Sequence, residues 1–288
     1  MIRLFASDLD GTLLNEHHEC DEKIEKGIQK IIDAGKIFTV ATGRGIKMVN
    51  LKKAGDISYY ICLNGAAVLD PKKQLLHCEP IDKEVLSKIM DVFEDLNLEY
   101  VSWNKVYSRI DKESVLQYRK NVWKEAANDS WLDRFLNNII VNFECLQSKE
   151  EILQKDICKI NYHFSDDTDT SRLDDFLKQY DDKLVNAPSG DGIYEITKNG
   201  VNKASAVSWL ADFLNISKEE VAVYGDGGND IMMLSSFKHS YTPSTGSIEA
   251  KEAASQIIGP YEDYSVIEHI LNTIEEEKKD RMIYLFAD

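Results

Sequence analysis

The stretch Ile2-Arg3-Leu4-Phe5-Ala6-Ser7-Asp8-Leu9-Asp10-Gly11-Thr12-Leu13-Leu14 decides the fold. Its opening, apolar except for Arg3, reads as a buried strand. Two carboxylates follow, at Asp8 and Asp10. Side chains alternate across a strand, so this spacing projects both acids to one side of the sheet. Gly11 then lets the backbone turn sharply away. Two acids held together repel unless a cation or a shared proton compensates them. The stretch therefore asks for a metal at the end of a buried strand.

Working outward, Asp21 is placed to cap a helix whose Ile24, Ile28, Ile31 and Ile32 form one apolar face, ending at Gly35. Lys36 to Ala41 reads as a second strand, with Thr42-Gly43-Arg44 directly at its end. A short helix through Met48 leads to a third strand, Tyr59 to Leu63, stopped by Asn64-Gly65. This rhythm is that of a parallel sheet with crossover helices. Ligands bind at the carboxyl ends of strands in such sheets, the position that Asp10 and Thr42 occupy.

From about Asp82 the rhythm changes. A helix is written by Val85, Leu86, Ile89, Met90, Phe93 and Leu96, and a hairpin by Glu99–Trp103 and Val106–Ile110 around Asn104-Lys105. Further strands are expected at Ile139–Phe143 and Ile157–Phe164, with a helix around Leu173, Phe176, Leu177 and Tyr180. This middle region carries Trp103, Trp123 and Trp131 and reads as a separate α+β insertion. Its acidic run, Asp166 to Asp175, reads as a solvated loop and helix start. Near Gly190 the first pattern resumes. Ile193–Thr197 is a strand, Lys203 opens a helix, and Glu220–Tyr224 runs into Gly225-Asp226-Gly227-Gly228-Asn229-Asp230. A last helix spans about Tyr264 to Glu277, and the apolar tail 282–288 follows without an assigned role. The organisation expected is a core from 1–82 and 190–288, with 83–189 inserted.

Bulk properties narrow the function. A net charge of −16, with no long basic stripe, makes nucleic acid and anionic membranes poor partners. No apolar run approaches the roughly 18 residues of a membrane span, and no signal-peptide pattern opens the chain, which points to the cytoplasm. Five cysteines, odd in number and without a CxxC pair, read as free thiols rather than a disulfide framework or zinc site. His17-His18 reads as a solvated loop.

Together, the DxDGTLL opening, Thr42 in Thr42-Gly43-Arg44, the isolated Lys203 and the late GDGGND resemble the haloacid dehalogenase superfamily, and more closely its Cof-type branch. Asn64-Gly65-Ala66 and Tyr194-Glu195-Ile196 extend the likeness over nearly the whole chain. The resemblance implies a Rossmann-like, doubly wound parallel sheet with an inserted α+β cap of the C2B type. It also implies a site. Asp8 would be the nucleophile, and Asp10 the acid that protonates the leaving oxygen and then activates water. Mg2+ would be held by Asp8, Asp226 and the backbone carbonyl of Asp10, with water and substrate completing its octahedron. Thr42, Gly43, Lys203 and Asn229 would contact the phosphoryl oxygens, with capping of the next helix an equal reading for Asn229. Asp230 would orient the lysine or a metal-bound water. Arg44 reads as a structural ion-pairing residue. Two departures stand out: Ala204 replaces a glycine, and Tyr241-Thr242-Pro243-Ser244-Thr245 replaces the family's Ala-Met-Gly-Asn-Ala segment.

The expected activity is Mg2+-dependent hydrolysis of small phosphorylated metabolites through an aspartyl-phosphate. The alternatives are a phosphosugar mutase or phosphotransferase, and a non-catalytic phosphometabolite-binding protein. The inserted cap would close over the site and set selectivity. Of its Trp103, Tyr107, Arg109, Tyr118, Arg119 and Trp123, each reads first as a packing or surface residue.

Overall fold

A computed structural model of the chain describes residues 1–123, 136–188 and 190–285, the last five by backbone alone. It divides into two units, 1–77 with 202–288 and 78–201. Trp131 and the side chains of the 282–288 tail lie outside the described residues.

The first limb of the core opens with β1 (Leu4–Ser7), whose four residues are all buried. Helix α1 (Glu22–Asp33) follows; the Asp21 carboxylate accepts from the amides of Lys23 at 2.9 Å and Ile24 at 3.1 Å. Such a cap stabilises a helix by about 1 kcal/mol. Of the face that the spacing predicts, Ile24, Ile28 and Ile31 are fully buried and Ile32 is half-buried. Strands β2 (Ile37–Ala41) and β3 (Tyr59–Cys62) come next. Between them lie two short 3-10 helices, Ile46–Met48, where a short helix through Met48 is expected, and Lys52–Asp56. Strands β4 (Ala67–Leu69) and β5 (Leu75–Cys78) close this limb.

The second unit contains α2 (Lys83–Val92), β6 (Glu99–Val101), β7 (Val106–Tyr107), α3 (Lys112–Val122), β8 (Phe143–Glu144) and α4 (Lys149–Leu153). It continues with β9 (Lys159–His163), α5 (Ser171–Gln179), β10 (Leu184–Asn186) and β11 (Ile193–Lys198). Its sheet runs β10-β11-β9-β6-β7-β8. The helices pack on Tyr100, Ile160, Tyr162, Tyr194 and Ile196, which occupy one face of the sheet by strand alternation.

Two expectations are corrected here. Residues 136–140 are helical, so the strand expected at Ile139–Phe143 shrinks to Phe143–Glu144. Strand Ile193–Lys198, assigned to the core from its sequence, pairs antiparallel with β9 and β10 in the second sheet. The chain thus returns to the core at Asn202 rather than residue 190.

The final limb supplies α6 (Lys203–Phe213), β12 (Val221–Tyr224), α7 (Ile231–Ser236), β13 (His239–Pro243), α8 (Ile248–Ala253), β14 (Gln256–Ile258) and α9 (Ser265–Leu285). The core sheet runs β14-β13-β12-β1-β2-β3-β4-β5. Pairs from β14 through β3 are parallel, and β4 turns back antiparallel on β3. Beside β1, Ser7 pairs with Tyr224 on one side and Val40 on the other, so β1 and β12 end in step and β2 one residue later. The fold is an α/β doubly wound sheet. Among the described residues, no helix is long and apolar enough to cross a membrane.

Candidate active site

Strand β1 ends at Ser7, and Asp8 is the first residue beyond it, still extended at φ −60° and ψ 165°. Residues Leu9–Leu13 then coil into a tight turn. The strand therefore stops too early for alternation to govern Asp10, and the two acids meet different partners. The Asp8 carboxylate accepts from Lys203 Nζ at 2.6 Å. Asp10 is gripped by the Arg44 guanidinium, with Nε at 2.8 Å, and by His18 Nδ1 at 2.9 Å. Arg44 is thus the ion-pairing residue expected, with Asp10 as its partner. The His18 contact was not expected from a solvated loop.

Lys203, first residue of α6, is almost wholly buried and also donates to Asp230 Oδ1 at 2.7 Å. The other Asp230 oxygen accepts from the amides of Asp226 and Gly227, each at 3.0 Å. That pair of bonds folds the loop after β12 back on itself and presents Asp226. Thr12 Oγ1 donates to Asp226 Oδ1 at 2.6 Å, tying the first loop to the late one. Gly11, at φ +73°, sits so close to Asp226 that a Cβ would overlap its carboxylate. Glycine is required there by both backbone and space.

Asp8, Asp226 and Asp230 each offer a carboxylate oxygen within 4.8 Å of the others. Three acids around one lysine leave an excess of negative charge, and the electrostatics register it. Burial pushes the Asp8 carboxyl up to about 8; Lys203 opposes this, while Asp230 and Asp226 add to it. Burial likewise pushes Asp226 up to about 6, against the Thr12 hydrogen bond. Lys203 goes up despite its burial, because Asp230 and Asp8 hold its charge. An oxygen-only donor set with surplus negative charge suits a hard divalent cation. Asp230, expected behind the lysine, stands within this cluster as well.

The remaining residues form the next side of the site. Thr42 Oγ1 accepts from the Arg44 amide at 3.1 Å, and the Thr42 carbonyl accepts from the Asn64 amide at 3.0 Å. Asn229 Nδ2 donates to Asn64 Oδ1 at 3.1 Å, so its side chain joins another loop rather than capping α7. Asn64 is buried, holds a left-handed φ of 56°, and places Oδ1 3.0 Å from where a Gly43 Cβ would lie. It thereby links the loops of Thr42, Gly43 and Asn229. The sequence offered a signal in Asn64-Gly65, since asparagine tolerates this conformation better than most residues. No role was assigned from it.

Fold and site together define a doubly wound α/β protein with a lysine-braced acidic centre at the carboxyl edge of its sheet. Haloacid dehalogenase-like hydrolases match residues 5–271. The chain is 27% identical over 265 residues to 5-amino-6-(5-phospho-D-ribitylamino)uracil phosphatase YwtE of Bacillus subtilis (strain 168), covering 87% of this chain and 91% of that one. It is also 27% identical over 249 residues to phosphatase YwpJ of the same organism, with 81% and 86% covered. The solved structure of a haloacid dehalogenase-like hydrolase from B. subtilis shares the fold, with TM-score 0.75, 24% identity, and 93% and 99% of the chains covered. The chain belongs to the haloacid dehalogenase-like hydrolase family. It is an enzyme of the phosphoric monoester hydrolase class.

Proposed function

We propose that the protein is a Mg2+-dependent phosphatase of small phosphorylated metabolites that works through an aspartyl-phosphate. The observation that carries this reading is the buried Asp8 carboxylate, 2.6 Å from Lys203 and clustered with Asp226 and Asp230. Asp8 and Asp226, with the Asp10 backbone carbonyl, would hold Mg2+. When bound, the ion supplies positive charge against the phosphoryl oxygens.

The chain's own groups do the rest. An Asp8 oxygen attacks phosphorus as the ester P–O bond breaks, and Asp10 gives its proton to the leaving oxygen. Asp10 then takes a proton from water, whose oxygen attacks the same phosphorus. Inorganic phosphate leaves and Asp8 is restored. Because Asp10 is paired with Arg44 and His18, acting as an acid requires it to leave that pair. Lys203 neutralises incoming charge and fixes Asp8. The Thr42 hydroxyl, the Gly43 amide and Asn229 are assigned to the phosphoryl oxygens. The second unit, 78–201, is assigned to leaving-group selection.

The test is phosphate release from purified protein with Mg2+ across a panel of phosphomonoesters. The panel includes sugar phosphates and the phosphoribitylamino-uracil named for the YwtE relative. Release from at least one member is expected. Isomerised sugar phosphate without release would point to a mutase, and no turnover across the panel would point to a binding protein.

A further inference from the structure

All five cysteines are free thiols, but two of them meet within the second unit. Cys78 Sγ and Cys158 Sγ lie 3.1 Å apart, joined across 80 positions of chain. We propose that Cys78 and Cys158 form an oxidisable dithiol site that a peroxide converts into an internal disulfide.

The surroundings favour this pair. Cys78 is the last residue of β5 and is only partly buried, so small oxidants can reach it. Cys158 is fully buried immediately before β9. Its backbone is fixed by an amide bond to the Val101 carbonyl at 2.8 Å. A second bond, from the Ile81 amide to the Ile157 carbonyl at 2.7 Å, aligns the two segments three residues beyond Cys78. Both sulfurs are therefore held by backbone pairing rather than by mobile loops. A disulfide has S–S near 2.05 Å, so the sulfurs need to close by roughly 1 Å. The shared hydrogen bond from Cys158 also lowers the Cys78 pKa, which favours its thiolate as the attacking group.

The chemistry balances. The Cys78 thiolate attacks one peroxide oxygen; the S–O bond forms as the O–O bond breaks, and the departing hydroxide takes up the thiol's proton as water. Cys78 is now a sulfenic acid, oxidised by two electrons. Cys158 sulfur attacks it, the S–S bond forms as the S–O bond breaks, and the hydroxyl leaves with the Cys158 proton as a second water. Two thiols and one peroxide become one disulfide and two waters. The bond would pin Cys78, where the chain enters the second unit, to the residue just before β9.

The experiment treats the full chain with stoichiometric hydrogen peroxide, counts thiols under denaturing conditions, and maps peptides by mass spectrometry. The expected result is a fall from five thiols to three, with one internal link between the Cys78 and Cys158 peptides that dithiothreitol reverses. Closing a loop of this length should also raise the melting temperature of the full chain by about 5–10 °C. In Cys78→Ser, the link and the melting shift should both be absent. In Cys158→Ala, a sulfenic acid should persist on Cys78 and react with dimedone. Five thiols surviving in the wild type, a different pairing, or a link between two chains would overturn the proposal.

Discussion

Both units bury charge, but they balance it differently. In the core, Asp8, Asp226 and Asp230 surround one ammonium, Lys203. In the second unit, Glu99 meets Arg119 at 2.7 Å and Glu195 meets Lys159, two acids against two bases, all nearly inaccessible. The pKa directions follow. Burial drives Asp8 and Asp226 up, and one lysine is too little to bring them back. Burial pushes Glu99 the same way, yet Arg119 and His163 outweigh it and its carboxyl ends below the usual range. A neutralised cluster holds a fold together; a cluster short of positive charge is poised for an incoming cation. This is why Arg119, a candidate for substrate contact by type, serves packing in the structure, beside Tyr118 bonded to the His163 carbonyl.

Four measurements would break or sharpen that contrast. The largest effect belongs to Asp8→Asn, which keeps the shape and removes the proposed nucleophile. Turnover should fall by at least about 10³-fold, with circular dichroism unchanged; near wild-type activity would end the covalent reading. Next, Arg119→Ala strands Glu99 as a buried, unpaired acid and should cost about 3–5 kcal/mol in urea unfolding. The paired change Arg119→Met with Glu99→Leu should recover most of it, as expected for a structural pair.

The third concerns His163, held neutral by burial and by Arg119, with its pKa down at about 4. Between about 6.5 and about 4 the unfolded chain binds a proton that the folded one refuses, so stability falls as pH drops through that window. The loss should reach at most about 3 kcal/mol, and His163→Asn should flatten the slope. The fourth concerns the core, where the sign is reversed. In metal-free protein the raised Asp8 and Asp226 lose protons later than in the unfolded chain, so stability falls as pH rises from about 4 toward about 8. Mg2+ should therefore raise the melting temperature more at pH 8 than at pH 5. At a hundred times its dissociation constant the gain is about 2.7 kcal/mol, a shift of several degrees.

Much of this was legible in the sequence, for reasons that can be named. Residues at strand ends are set by local pattern, so Asp8, Thr42 and Asp226 can be placed along the carboxyl edge from sequence, while Lys203 joins them only through the family resemblance. The Asp21 cap and the isoleucine face of α1 were equally local. Failures arose where partners lie far away in sequence. Ile193–Lys198 has an ordinary strand pattern, and nothing local says which sheet receives it. Ile139 and Ile140 suit a strand by residue type, yet residues 136–140 are helical. Alternation does not carry to Asp8 and Asp10, because β1 ends at Ser7, before either acid. Asn64 carries no local mark of its linking role, since its bond to Asn229 spans 165 positions.

Those long spans have a consequence for how the protein is made. The Lys203–Asp8 bond joins positions 195 apart, and the Thr12–Asp226 bond joins positions 214 apart. Ribosomal synthesis runs at about 5–20 residues per second, so the nascent chain waits roughly 10–40 s between Asp8 and Lys203. Throughout that interval Asp8 has no lysine to brace it, and the whole second unit is produced in between. The acidic centre cannot exist on a truncated nascent chain. The centre is thus completed late, when the loop after β12 meets the one after β1.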